Sequence, residues 1–400
     1  MLSSQECFMP KFLQYSIEKS TRTVPVSEFN VLEAQLAESK NRLDKYHDGT
    51  KKEQEAITKA LRSFDYFGSI KKELKKDGIE APTNAFMKMY EMVVRLNLVE
   101  KITTDNKLRV FCNAELPGAF VSALNQATYD KNPSIKFEWV ASSLYPEHIN
   151  TTGILGDTYN ILANNPANWI MSADMRGDVT KLADVYKLAE AAKSKLGGSV
   201  DLYTSDAGID VSSDYSRQEE LTEKIHIGQT FTGFLCLRPG GTLIVKTFTF
   251  YRPQSLALLG ILAQLFTKVS IVKPETSRPA NSETYIIGEI YLGLDGTDFE
   301  QKFKDYLDSS KNTPLPSIPV KFTESVHAAA LKIHNNYQIS WLNCVVDTCK
   351  LFLGTQDTQI KKFNHTNHKV GNAVRFQWLN LVNMPSKLPE SRSLTKSPHT

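Results

Sequence analysis

The chain has 400 residues, with 47 Lys+Arg against 44 Asp+Glu and a formal net charge of +3. Hydrophobic residues make up 41% and charged residues 23%, which excludes a disordered or collagen-like polymer. The longest apolar run, 256–266, is far shorter than the ~20 residues that span a bilayer. The first twenty residues carry Glu6, Lys11 and Glu18, so neither a membrane segment nor a secretory signal is expected. Five scattered cysteines without a CxxC argue against a disulfide framework or zinc ribbon and for a reducing, intracellular setting.

In chain order, residues 1–80 read as a helical extension. Ser27 is positioned to cap a run in which Phe29, Leu32, Leu36 and Leu43 recur at helical spacing. A second run, 51–76, is expected to end at the helix stop Asp77-Gly78. Lys71, Lys72, Lys75 and Lys76 cluster on one face of it, contacting phosphate or, more simply, solvent.

From about 108 to 292 short β-rich runs alternate with helical ones. Strands are expected at 108–113, 135–142, 200–205, 242–247, 269–272 and 284–292. Helices are expected at 179–196, 217–237 and 255–266. This alternation predicts an α/β domain with a parallel sheet and helices on both faces. Ligands of such folds bind beyond the carboxyl ends of the strands. Helical texture returns after 296. The Pro/Ser/Lys-rich segment 384–400 is expected to be a disordered tail. Residues 301–400 hold 13 Lys+Arg and 6 Asp+Glu, a basic quarter suited to a polyanion or simply to solvent. His365 and His368 lack nearby Cys or His companions, so no metal site is expected there.

The strand ends hold the chemistry. The first sheet strand runs into Glu115-Leu116-Pro117-Gly118, a tight turn opening a helix. Such a turn admits a ligand close to the backbone, and a helix N-terminus favours negative charge. Later strand ends place Asp206, Lys246 and Glu283 at three separate mouths, with Arg278 just upstream of the last.

These segments resemble the FtsJ-type ribose 2′-O-methyltransferases. LPGAF resembles their cofactor turn, TSDAG their strand-4 aspartate segment, and GGTLIVK their strand-5 lysine segment. SRPANSETYIIG resembles their SRxxSxExY segment, and GDVT their GD pair. FMKMYEM offers Lys88 in the KMYE context of cap-type members. The layout looks most like the cap-type enzymes of cytoplasmic large DNA viruses, such as the asfarvirus group. The resemblance implies a Rossmann-like S-adenosylmethionine-dependent sheet at 81–295, flanked by helical extensions at 1–80 and 296–383. It implies a catalytic set of Lys88, Asp206, Lys246 and Glu283. The cofactor would be held by Glu115, Leu116, Pro117, Gly118, Ser143, Leu144, Asp178 and Asp206. RNA would be contacted by Arg278 and Ser282, and no metal is implied. Capped mRNA is the implied substrate, with capping or transcription proteins as partners and a cytoplasmic place of action, at a viral replication site or in a virion.

The chain departs from the family pattern at three places. Ala119 replaces a turn glycine, Glu115 stands where many members have a small residue, and Ser143-Leu144 replaces the acidic end of strand 2. Each assignment has a structural alternative. Asp178 reads the adenine amino group or caps the next helix. Arg278 clamps phosphate or makes a surface salt bridge. A ribose hydroxyl needs a base. A lysine serves only when its proton affinity falls from about 10.4. Burial and a neighbouring cation lower it, whereas nearby carboxylates raise it. The alternatives to a cap methyltransferase are a ribosomal RNA methyltransferase and an RNA-binding or complex-forming module with weak or no activity.

Overall fold

A computed structural model of the chain describes residues 9–145, 156–209, 217–311, 313–354, 357–382 and 386–396. Eight strands form one sheet: β1 (Leu13–Ser16), β2 (Lys107–Asn113), β3 (Lys136–Ser142), β4 (Trp169–Ile170), β5 (Val200–Ser205), β6 (Leu237–Thr247), β7 (Phe266–Lys273) and β8 (Thr284–Tyr291). Their order is β1-β7-β8-β6-β5-β2-β3-β4. The helices are α1 (Val26–Asn41), α2 (Asp44–His47), α3 (Lys51–Ser63), α4 (Gly68–Lys76), α5 (Asn84–Arg95), α6 (Leu98–Ile102), α7 (Ala119–Lys131), α8 (Ile161–Asn164), α9 (Leu182–Leu196), α10 (Gln218–Cys236), α11 (Pro253–Leu265), α12 (Phe299–Leu307), α13 (Thr323–Ala330), α14 (Ile339–Leu353) and α15 (Asp357–Leu381).

The expected parallel sheet is found, with antiparallel strands in one half. β2 to β6 pair in parallel, but β8 runs antiparallel between β6 and β7. The connection from β7 to β8 is too short for a crossover, so the strand must return beside its neighbour. The edge strand β1 pairs with β7 across some 256 residues, a partnership no local pattern can announce.

Helices cover both faces. On α10, Gly233 lets the helix approach: a Cβ there would come within 2.7 Å of Tyr203 and 2.8 Å of Leu243. On the other face α7 presents Phe120 to Tyr285, ring centroids 6.2 Å apart. Gly228 of α10 lies against the turn before α9, where a Cβ would sit 1.8 Å from the Val179 carbonyl oxygen. That contact sets the position of the 177–180 turn.

The flanks differ in detail from expectation. The first helix starts at Val26 with Pro25 before it, and Ser27 is inside it rather than its cap. The 51–76 run is two helices broken at 64–67, where Phe64 and Phe67 turn inward towards Trp341 and Trp378. The two extensions pack on each other. Asn335 donates to the Leu32 carbonyl, Tyr66 to Asn367, and Arg375 to Glu73. The expected disordered tail is also corrected, since residues 386–396 lie along the domain. Leu394 is buried, its N–H donates to Glu80 at 2.9 Å, and Asn125 and Gln126 of α7 donate to the Arg392 and Ser386 carbonyls. Residues 384, 385 and 397–400 of that segment lie outside the described residues.

Candidate active site

Sheet register assembles the site. Asn113 pairs with Ser205, Ser205 with Val245, and Lys246 with Tyr285. The residues at the carboxyl ends of β2, β5 and β6 therefore lie side by side. Asn113 locks the first of them: its amide donates to Tyr203 Oη, while Oδ1 accepts from Ser142 Oγ and the Ala114 N–H. Ala114 then turns with φ 54°, and Gly118 with φ 100° opens α7. A side chain at Gly118 would collide with Ile161 at 2.6 Å as well as strain the backbone.

Two lysine–carboxylate pairs meet at this edge. Lys88 Nζ on α5 donates to both Glu283 oxygens, at 2.9 and 3.0 Å. Lys246 Nζ donates to the Asp206 carbonyl at 2.7 Å and lies 3.3 Å from Asp206 Oδ1. The same Oδ1 accepts from Tyr285 Oη at 2.9 Å. Lys88, Asp206 and Lys246 line one cavity of about 590 Å³ with the turn residues Ala114 to Pro117.

The electrostatics are ordered by burial and pairing. Burial works against the Lys88 ammonium, but Glu283 and Asp206 outweigh it and hold its proton above the ordinary lysine range. Burial would raise Glu283, yet Lys88, Lys246 and Lys273 hold it well below the usual carboxylate range. Lys273, at the end of β7, is fully buried and lowered to about 7, mainly by desolvation. It donates to the Asn281 and Glu283 carbonyls at 2.8 and 2.9 Å and to Asn281 Oδ1 at 2.6 Å, fixing the segment that carries Glu283.

The second anchor of that segment is Glu91, one turn after Lys88 on α5. Its buried carboxylate accepts from the Glu275 and Thr276 N–H groups, both at 3.1 Å, and from Thr276 Oγ1 at 2.7 Å. Arg95 bridges it to Glu275, at 3.0 and 2.5 Å. A third anchor comes from the C-terminal extension. The π-helical turn Leu331–Gln338 aims Gln338 at the Ala280 carbonyl and Ser282 Oγ, 3.1 and 3.0 Å away.

Several expected contacts are placed differently. Glu115 is buried, and its Oε1 accepts from the Phe120 and Val121 N–H groups, so its carboxyl caps α7. Ser143 Oγ accepts from the Leu116 N–H and holds the turn from behind. Leu116 and Pro117 line the cavity, whereas Leu144 is half exposed and does not. Asp178 forms a local turn, its Oδ1 accepting from Thr180 N and Oγ1, and α9 starts later at Leu182. Asp178 is thus not the helix cap. A Cβ on the adjacent Gly177 would be 2.9 Å from the Ser143 carbonyl, which keeps the two strand-end loops together. Ser282, expected to contact RNA, is instead buried, and its Oγ accepts from the Gln338 amide. Arg278 is exposed and makes no salt bridge among the described residues. Lys71, expected on a helix face that meets phosphate or solvent, lines the cavity from α4. Tyr285, Lys273 and Glu91 were not singled out. Tyr285 lies within the SxExY segment, and Glu91 within KMYE, so position in a motif was their available signal.

Glu115 carries a pH consequence. Burial raises its carboxyl to about 8, against the lowering by the two N–H groups. A folded value above the unfolded one stabilises fully below about 4.5 and is lost as pH rises through about 8. Wild-type stability from this group should therefore fall between those values. Denaturant titrations of Glu115→Gln beside wild type should show the difference narrowing from pH 8 to pH 5. A pH-independent difference would refute the assignment.

With this geometry in place, residues 82–291 match the family model of the FtsJ-like methyltransferases. The chain belongs to that family. It is 38% identical over 301 residues to the "Probable methyltransferase EP424R" of African swine fever virus, covering 72% of this chain and 69% of the viral protein. It is 31% identical over 227 residues to a "Cap-specific mRNA (nucleoside-2'-O-)-methyltransferase 2" of Drosophila melanogaster, covering 56% of this chain and 32% of that protein. The same-named protein of Danio rerio is 30% identical over 210 residues, 52% of this chain and 28% of that one.

The cofactor of the family, and of this chain, is S-adenosylmethionine. The residues present fit it. The cavity has the size of a small-molecule site and lies at the carboxyl ends of parallel strands, walled by the turn backbone of Ala114 to Pro117. The Asp206 carboxylate at its edge suits a sulfonium cation. No helix among the described residues is long and apolar enough to cross a membrane.

Proposed function

We propose that the protein methylates the ribose 2′-hydroxyl of the first transcribed nucleotide of capped mRNA, with Lys246 as general base. The observation that carries this reading is the convergence of Lys88, Asp206, Lys246 and Glu283, from four separate elements, beside the cofactor turn. S-adenosylmethionine supplies an electrophilic methyl group. The chain's own residues must present the hydroxyl and take its proton.

Lys246 Nζ donates to the Asp206 carbonyl and forms an ion pair with the Asp206 carboxylate. Among the described residues no other acceptor engages this nitrogen, so one tetrahedral position stays open to a ribose hydroxyl. As the hydroxyl oxygen bonds to the methyl carbon, the carbon–sulfur bond would break with its electron pair leaving on sulfur as a neutral thioether, and the hydroxyl proton passes to Lys246 Nζ. Lys88, kept cationic by Glu283, stabilises the negative charge that develops on that oxygen. Tyr285 holds the Asp206 carboxylate in place. The cap assignment draws on the similarity to the cap-specific mRNA methyltransferases of Drosophila melanogaster and Danio rerio. A cytoplasmic place of action and contact with other capping proteins belong to the same proposal.

The test is mass analysis of short RNAs incubated with enzyme and S-adenosylmethionine. Capped RNA should gain one methyl group, and the same RNA with a 2′-deoxy first nucleotide should gain none. Methylation of the deoxy substrate, or equal turnover of uncapped RNA, would overturn the reading.

A further inference from the structure

Beyond the catalytic cavity lies a second, smaller one of about 230 Å³, built by three parts of the chain that are remote in sequence. Phe64 at the end of α3, Trp341 and Val345 of α14, and Pro279 and Ala280 of the loop before Glu283 supply an apolar floor. Two guanidinium groups stand on it, Arg62 from α3 and Arg278 from the loop, with Asp65 as the single acid. Both arginines are exposed, and neither makes a side-chain hydrogen bond or ion pair to another described residue. The loop is not a loose wall. Gln338 pins Ala280, and three residues further on Lys273 pins Glu283.

We infer that this cavity is a subsite for an RNA nucleotide other than the methylated one, the base entering the apolar floor and its phosphate meeting Arg62 and Arg278. The inference rests on the RNA reading above and extends it to residues outside the methyltransferase domain. A volume of this order holds one base. An apolar floor with paired guanidiniums matches a neutral ring carrying an anionic phosphate, because guanidinium binds phosphate through parallel N–H donors. A cationic ring would face two positive groups against one carboxylate, so the occupant is an ordinary nucleotide of the RNA body. The adjoining groove along α3 is net positive, with Lys51, Lys59 and Arg62 beside Glu55. Arg278 and Glu283 share one short loop, so a nucleotide seated here lies within a few residues of the catalytic edge.

Arg62→Glu tests the subsite, since Arg62 lies on an exposed helix surface and its replacement leaves the buried floor intact. Capped RNAs carrying two and six nucleotides are compared with wild type and variant. Wild type should have the lower KM for the longer RNA, and Arg62→Glu should erase that advantage, about tenfold. In direct binding to a labelled, uncapped six-mer, the variant should also lower the salt slope by about 1. A six-mer bearing 4-thiouridine should crosslink under near-ultraviolet light to peptides containing Pro279 or Trp341. Unchanged length dependence and salt slope in the variant, or crosslinks confined to other surfaces, would overturn the subsite. Binding and crosslinking do not require turnover. Their success with no methyl transfer would reject the catalytic reading and keep the subsite, while methyl transfer without them would do the reverse.

Discussion

Lys246→Ala should lower methyl transfer by about 10²- to 10⁴-fold, the range that a positioned base contributes, while the affinity for S-adenosylmethionine stays within about twofold. The lysine reaches the cavity from the end of β6 and its nitrogen is held by Asp206, so its removal empties one corner without touching the turn at 114–118. A second variant separates proton transfer from simple attraction. Lys246→Arg keeps the positive charge, but a guanidinium does not release its proton in proteins. Both variants should therefore be inactive if the nitrogen acts as base. Single-turnover rates with capped RNA, beside calorimetric titration of the cofactor, measure both quantities. Activity retained in Lys246→Arg would show that charge alone suffices and would remove the base role.

Glu91→Ala should cost about 3–5 kcal/mol of stability, because it orphans two buried N–H groups and a hydroxyl and leaves Arg95 half-paired. Burial pushes the Glu91 carboxyl up, against the pull of Arg95 and the Thr276 and Glu275 donors. The group thus sits in a dry environment where a lost partner is expensive. The effect should reach catalysis by way of the loop. Lys88 grips Glu283 at one end of 275–283, and Glu91, three residues on, grips Glu275 and Thr276 at the other. Glu91→Gln retains one carbonyl acceptor and should fall between wild type and alanine. Urea midpoints at constant slope report the stability, and kcat at saturating cofactor reports the loop. Normal kcat in a folded Glu91→Ala protein would show that Lys88 and Lys273 alone position Glu283.

The site was legible in the sequence because strand-end residues are fixed by register. Once 200–205 and 242–247 are read as adjacent strands, Asp206 and Lys246 must be neighbours. What stayed hidden depended on distant partners. Pro25, two positions before Ser27, is a local sign of the earlier helix start, whereas nothing near Phe64 shows that its ring packs against Trp341 where the long run breaks. Glu115 is expected to hold the cofactor, and only the fold shows that the Phe120 and Val121 N–H groups donate to its Oε1. Ser282 looked available for RNA until a residue 56 positions away took its hydroxyl. The low-apolar segment after 384 resembles a free tail because it docks through scattered polar contacts with Glu80, Asn125, Gln126 and Asp130 and, among its described residues, only two buried leucines, Leu388 and Leu394.

The knitting of the two flanks has a bearing on biogenesis. Leu32, Tyr66 and Glu73 find their partners at Asn335, Asn367 and Arg375, roughly three hundred positions downstream. On a ribosome adding ~5–20 residues per second, the leading helices therefore wait ~15–60 s with unmatched apolar faces. The sheet can close during that interval, so assembly proceeds from the middle outward, and the nascent amino-terminal end is the stretch most in need of a chaperone.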